Sequence, residues 1–272
     1  MPRLRPPTVA DVRANKGKYQ YTMMRVENWD ELAAAEAAGI DMVSVSPEMM
    51  VEKQFRSVAP TLFAVPGMGL YSAPAATDDY LRWAFRMMEA GADAVYCAAS
   101  FQTVERMASE SIPVIGHVGL IPHFCTWTGG FKAVGKTADS AMAVYERCKR
   151  YEEVGAFGVE IEVVPPDVTA EIAEHMSLFL VSMGGGKGGD CQYLFACDVL
   201  GTNTGHVPRH SKQYANLAKE FARIQEMRID AFKQWVGEVH SGAWPDAPYL
   251  VAAPEDEMKA FKNQMAKKKP AR

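Results

Sequence analysis

Residues 158–165 read Gly158-Val159-Glu160-Ile161-Glu162-Val163-Val164-Pro165, two acids spaced two apart in an otherwise apolar, β-branched run. In a strand successive side chains point to opposite faces, so Glu160 and Glu162 share one face and Val159, Ile161 and Val163 the other. The apolar face belongs against helices, which turns both carboxylates inward. A buried carboxylate without a partner is costly, and it shifts its pKa or finds a cation. Such a pair does acid/base chemistry or forms an internal ion pair. Glu162 lies nearer the strand's C-terminal end and is the candidate catalytic residue.

Further polar side chains stand at the ends of apolar runs, where packing alone calls for nonpolar ones. They are Arg25, Ser44, Ser46, Tyr96, His117 and Lys187, and with Glu160 they are the candidate substrate-binding residues. The glycines of Gly116-His117-Val118-Gly119 are expected to let a ligand approach closely, a structural histidine being the alternative. The run Gly184-Gly185-Gly186-Lys187-Gly188-Gly189 is glycine-rich like a phosphate cradle. It lacks the G-K-S/T ending, so by itself it carries little. Met23, Met24, Met42, Met49 and Met50 read as packing material.

Positioning these residues takes a repeated alternation of strand and helix. Strands are expected at 19–24, 41–46, 61–65, 94–97, 113–117, 157–163, 178–183 and, more weakly, 193–199. Helices are expected at 29–38, 77–90, 101–110, 138–153, 168–175 and 214–239, with Gly39, Gly91 and Gly155 as stops and Ser241-Gly242 breaking the last. Most crossovers are long enough for parallel connections. The pattern describes one (β/α)8 TIM barrel over residues 1–272, an α/β fold with an extended C-terminal helix and a short basic tail. In such a barrel, catalytic groups come from the strands' C-terminal ends. A doubly wound sheet fits less well, because no G-x-G-x-x-G follows the first strand.

Composition narrows the function. With 48% hydrophobic residues the chain can bury a large core, and a net charge of −4 with scattered Lys and Arg leaves no nucleic-acid footprint. Lys267, Lys268 and Lys269 beside Arg272 read as a solvated end. Five cysteines without a C-x-x-C pair argue against a disulfide framework or zinc knuckle and for a reducing cytoplasm. No run of about 18 apolar residues is present to span a membrane. Residues 1–18 lack the apolar segment of a secretory signal.

Several segments resemble one family in order. Gly116-His117-Val118-Gly119-Leu120-Ile121-Pro122 is similar to GHxGLxPQ, and Gly129-Gly130-Phe131-Lys132-Ala133-Val134-Gly135 to a GG(Y/F)KxQG loop. Asp190-Cys191-Gln192 and Cys197-Asp198-Val199-Leu200-Gly201 follow DGQ and HDxxG. Gly205-His206-Val207-Pro208-Arg209-His210-Ser211-Lys212-Gln213-Tyr214 resembles G-x-x-P-(K/R)-F-x-(K/R)-x-(F/Y). With the strand carrying Glu162, these resemble ketopantoate hydroxymethyltransferases from about Thr8 to Trp244. The resemblance implies a barrel of the phosphoenolpyruvate/pyruvate type acting on a 2-oxo acid such as 3-methyl-2-oxobutanoate. A metal chelates the 2-oxo acid, a proton leaves C3, and the enolate captures a one-carbon unit from 5,10-methylenetetrahydrofolate. Glu162 matches the family's catalytic glutamate and would be the general acid/base. The family's decameric rings imply a homo-oligomer. Phe232, Trp235 and Val236, with Trp244 beyond, could serve its interface or be ordinary core contacts.

The departures fall on the metal. The aspartate of V-G-D-S corresponds to the stretch Val45-Ser46-Pro47-Glu48, and that of A-D-L-P-F falls at or near Val65. The family's V-K-I-E-G has become Val95-Tyr96-Cys97-Ala98-Ala99. Proline and valine offer no hard oxygen ligand, so the family's magnesium site is expected to be lost unless Glu48 supplies part of it. No residue is assigned as a metal ligand. Arg25 or Lys187 could replace the cation, with Glu160 as an added acid, or Glu160 could pair with one of them as internal neutralisation. A lyase or hydrolase on another 2-oxo acid, and a non-catalytic paralogue, are the alternatives to transfer.

Overall fold

The computed structural model describes residues 4–68 and 75–268, and the chain divides into two compact units, Met1–Asn216 and Leu217–Arg272. The first holds β1 (Tyr21–Arg25), β2 (Met42–Val45), β3 (Phe63–Pro66), β4 (Val95–Tyr96), β5 (Val114–Gly119), β6 (Gly158–Glu162), β7 (Phe179–Met183) and β8 (Cys191–Phe195). All pairings are parallel in the order β3-β2-β1-β8-β7-β6-β5-β4, and a parallel bridge between Gly67 and Tyr96 joins the two ends. The sheet therefore curls into a barrel whose strands follow chain order, as the alternation requires.

Side-chain alternation sorts the apolar residues into two shells. Met23, Met42, Phe63, Val65, Ile115, Val181 and Tyr193 fill the interior. Val43, Val45, Val114, Val159, Ile161 and Leu180 face outward onto helix residues such as Leu32, Met107, Tyr151 and Ile172. Helix Trp29–Ala38 ends at Gly39 in the left-handed conformation, and helix Ala138–Glu153 has its expected bounds. The interior stripe runs on past its apolar stretch. Continuing Tyr21–Met23 reaches Arg25, continuing Met42 reaches Ser44, and continuing Ile115 reaches His117.

Three of the local departures from the sequence pattern bear on the barrel. Helix Val9–Ala14 was not expected. It is set by a Thr8–Asp11 capping box and sends Val12 into the barrel interior. The eighth strand ends at Phe195 rather than at 199, because residues Ala196–Leu200 form a short helix closed by Gly201. The β7–β8 connection, residues 184–190, has no helix. It turns back against helix Pro166–Glu174, where a Cβ on Gly188 would stand 2.5 Å from the Ala170 Cα. The glycine run is thus a tight crossover shaped by packing rather than a phosphate cradle.

In the second unit, helix Leu217–Ser241 and helix Glu255–Ala266 have no buried residue. Phe232, Trp235 and Val236 are exposed, so they are not core contacts within this unit. Lys269 and Arg272 of the basic tail lie outside the described residues. Among the described residues no helix is long and apolar enough to cross a membrane.

Candidate active site

A cavity of about 500 Å³ opens at the strands' C-terminal ends. Arg25, Ser44, Tyr96, His117, Glu160 and Glu162 line it, so six of the sequence candidates meet there. Two do not line it. Alternation would turn Ser46 inward, but the chain leaves β2 at Val45 and the Ser46 hydroxyl caps helix Pro47–Met50, accepting from Met49 N at 3.2 Å. Lys187 is exposed on the β7–β8 crossover.

The chemistry concentrates on β4, β5 and β6. His117 and Glu160 are register partners on neighbouring strands, and Glu162 lies one interior position above. The His117 Nε2 is 3.0 Å from Glu162 Oε2, and its Nδ1 meets the Tyr96 hydroxyl. Glu160 lines the cavity beside this pair. A hydroxyl and an imidazole each donate and accept, so more than one proton order serves Tyr96 and His117. The phenol favours keeping its proton, since burial and the charges of Glu160 and Glu162 raise its pKa well above the usual value.

Burial and charge act on these groups together. Burial raises Glu160 to about 7, with the Glu162 charge adding to the rise and His117 opposing it. For His117 burial is the largest influence and disfavours the cation. The nearby charge of Glu160 and the hydrogen bond and charge of Glu162 outweigh it, so the pKa is raised. Glu162 lies at the cavity end of this set, within hydrogen-bond reach of the imidazole.

The backbone holds Glu162 at a turning point. Val163 follows with φ +47°, a left-handed conformation that a β-branched residue rarely adopts. Its N–H donates to the Met183 carbonyl at 2.8 Å and its carbonyl accepts from Val134 at 3.1 Å, which fixes the turn. Gly119, at φ +83°, leaves β5 where any Cβ would strike the Glu162 carbonyl, and a Cβ on Gly116 would strike the Tyr151 ring. The glycines flanking His117 therefore serve packing rather than ligand approach.

On the opposite wall Arg25 donates from Nε to Glu27 Oε1 at 2.6 Å and from NH2 to Oε2 at 3.2 Å. Its NH1 is 3.4 Å from Ser44 Oγ. Sequence reasoning passed over five polar lining residues: Glu27, Tyr193, Asp198, His210 and Ser211. Asp198 accepts from Asn203 at 2.6 Å and Ser211 at 3.0 Å. Burial lowers the His210 pKa, against the pull of Glu162 and Asp198. For Asp198, His210 and Ser211 the signal lies in the CDVLG and PRHS segments, which match as motifs without marking these side chains as sites.

The positions read from the sequence as matching the family's metal ligands place no carboxylate in the cavity lining. Pro47 opens a short helix, Val65 is buried apolar packing, and Tyr96, Cys97 and Ala98 supply no carboxylate. Glu48 is exposed and lies outside the cavity lining. Elsewhere among the described residues, donor atoms of His117, Glu160 and Glu162 lie within 4.8 Å of one another, close enough to hold an ion. Both ring nitrogens of that histidine are already hydrogen-bonded, and one nitrogen with two carboxylates is not the all-oxygen set magnesium prefers.

The sequence matches the family described as ketopantoate hydroxymethyltransferase over residues 30–247. It is 30% identical over 253 residues to the 3-methyl-2-oxobutanoate hydroxymethyltransferase of Kosmotoga olearia, covering 85% of this chain and 92% of that one. The enzyme of the same name from a Geobacillus species is 31% identical, covering 86% and 90%. Among solved structures, 2,3-dimethylmalate lyase, a PEP mutase/isocitrate lyase superfamily member, superposes with a TM-score of 0.54 at 11% identity, covering 95% of this chain and 100% of that one. Phosphonopyruvate hydrolase with oxalate and Mg++ gives 0.51 at 14% identity, covering 96% and 98%. These two show the fold alone, a parallel (β/α)8 barrel.

Proposed function

The chain belongs to the ketopantoate hydroxymethyltransferase family, and on that premise we propose that it transfers a hydroxymethyl group to a 2-oxo acid such as 3-methyl-2-oxobutanoate. Glu162 is the acid/base. The observation that carries this reading is the hydrogen-bonded series Tyr96–His117–Glu162, which ends on a carboxylate facing the cavity.

A base for a carbon acid must be charged, held still and shielded from water. The His117 hydrogen bond orients Glu162, and the tyrosine behind it fixes the imidazole. Glu162 takes the C3 proton, the C3–H electron pair moves toward the 2-oxo oxygen, and the resulting nucleophilic C3 captures the one-carbon unit. The donor that family membership suggests is 5,10-methylenetetrahydrofolate. Its methylene carbon bonds to C3 as the bonds from that carbon to nitrogen break, water provides the hydroxyl oxygen, and tetrahydrofolate leaves with the proton that Glu162 took up. The positions read as the family's metal ligands place no carboxylate in the cavity lining, so no step is assigned to magnesium.

Purified protein supplied with 3-methyl-2-oxobutanoate and the folate donor is expected to form the hydroxymethylated acid, and Glu162→Gln to abolish it. No product from the wild type, or undiminished product from the variant, contradicts the reading. We place the enzyme in the cytoplasm, in keeping with five unpaired cysteines. We also propose a homo-oligomer, supported by the exposed Phe221, Phe232, Trp235 and Val239 on one long helix. Light scattering at the monomer mass would contradict it.

A further inference from the structure

A 2-oxo acid carries its own negative charge into a cavity already lined by Glu27, Glu160, Glu162 and Asp198. Its carboxylate needs a cation, and the positions read as the family's metal ligands place no carboxylate in the lining to hold one. Among the described lining residues Arg25 is the one side chain with a permanent positive charge. We propose that Arg25, with Ser44, seats the substrate carboxylate and takes over the anchoring that the family assigns to a metal. The proposal rests on the 2-oxo acid reading given above.

The geometry of the guanidinium supports this seat. Its Nε and NH2 hold both oxygens of Glu27, which shows that a carboxylate fits the fork at this point of the barrel. That bond uses one edge only. The other edge, NH1 with the second proton of NH2, lies beside the Ser44 hydroxyl. A carboxylate there would receive two guanidinium protons and one hydroxyl proton. Tyr193 is buried and bounds the same corner of the cavity. The Arg25 side chain is 18% exposed, so its charge is little screened.

Position in the ring gives the proposal its direction. Arg25 ends β1 and Ser44 lies on β2, whereas His117 and Glu162 lie on β5 and β6, across an eight-strand barrel. A carboxylate held at β1 points the rest of a small 2-oxo acid toward the opposite wall, where Glu162 waits. Lys187 is exposed and does not line the cavity, so it does not share this role.

The test is calorimetric titration of the full-length protein with 3-methyl-2-oxobutanoate and, separately, with its uncharged amide. Titrations are run after exhaustive chelation and again with added magnesium. Wild type is expected to prefer the acid over the amide, with an affinity unaffected by chelator or magnesium. Arg25→Met is expected to weaken the acid about 10- to 100-fold, as for a lost charge-assisted hydrogen-bond pair, and to erase the preference over the amide. Arg25→Lys keeps the charge without the fork and is expected to fall between. The acid-to-amide ratio is read within each variant, so a general loss of packing does not mimic the result. Binding that chelation abolishes and magnesium restores overturns the anchoring role, as does an Arg25→Met ratio equal to wild type. No binding of the acid by wild type overturns the functional reading itself.

Discussion

Buried carboxylates occur at both ends of this barrel, and the two ends treat them differently. At the floor, Asp190 accepts from Lys16 Nζ at 2.8 Å, Gly17 N at 3.1 Å and Leu180 N at 2.8 Å. Asp41 accepts from Thr22 N at 2.6 Å, Thr22 Oγ1 at 2.8 Å and Tyr19 OH at 3.0 Å. Each is saturated with donors and ties the strand starts to each other and to the helix that closes the floor. At the mouth, Glu160 and Glu162 lie beside one histidine and one tyrosine, and Glu162 faces a cavity. Burial alone therefore does not mark a reactive acid. What separates the two ends is how many donors each carboxylate already has.

The largest effect that sharpens this comparison is on turnover. Glu162→Gln is expected to lower kcat by about 10²- to 10⁴-fold, the range for a general base, with an unchanged melting temperature. A matching loss of stability would make Glu162 structural, like the floor aspartates. Asp190→Asn is the converse. It weakens the ion pair to Lys16 and hydrogen bonds to two backbone amides, and is expected to cost about 1–3 kcal/mol in denaturant unfolding while kcat per folded molecule holds.

Next comes the pH dependence of stability. The Glu160 pKa is about 7 in the fold, above its ordinary 4.5, so between those values the folded state binds more protons than the unfolded chain. Its contribution is fully present below pH 4.5 and is lost as pH rises through about 7. Wild type is expected to lose more stability from pH 5 to 7.5 than Glu160→Gln does, measured by urea unfolding at both pH values. Equal losses would show that Glu160 does not hold a proton. The smallest expected effect is from Lys187→Met, whose turnover is expected to equal wild type; a clear fall in kcat would return Lys187 to the site.

Much of this was legible because alternation is a hard constraint. The period-2 pattern of residues 158–163 places both glutamates inside without any fold in view, and the same stripe carries Arg25, Ser44, Tyr96 and His117 to the mouth. Ser46 obeyed the pattern in sequence but not in space, since Pro47 starts a helix that takes its hydroxyl as a cap. Lys187 looked like a strand-end cation because a parallel crossover normally needs a helix, and here a glycine turn replaces it. Asp198, His210 and Ser211 come from a short helix and a loop after β8, where no periodicity tells which side chains turn inward. The Thr8–Asp11 capping box was readable as a helix start, but nothing in its spacing said that the helix closes the floor.

The central claim is that Glu162 removes the C3 proton, and proton NMR in deuterated buffer tests it directly. With 3-methyl-2-oxobutanoate and no one-carbon donor, wild type is expected to erase the C3 proton signal by exchange, and Glu162→Gln to leave it intact. Exchange by the variant at the wild-type rate would contradict the account.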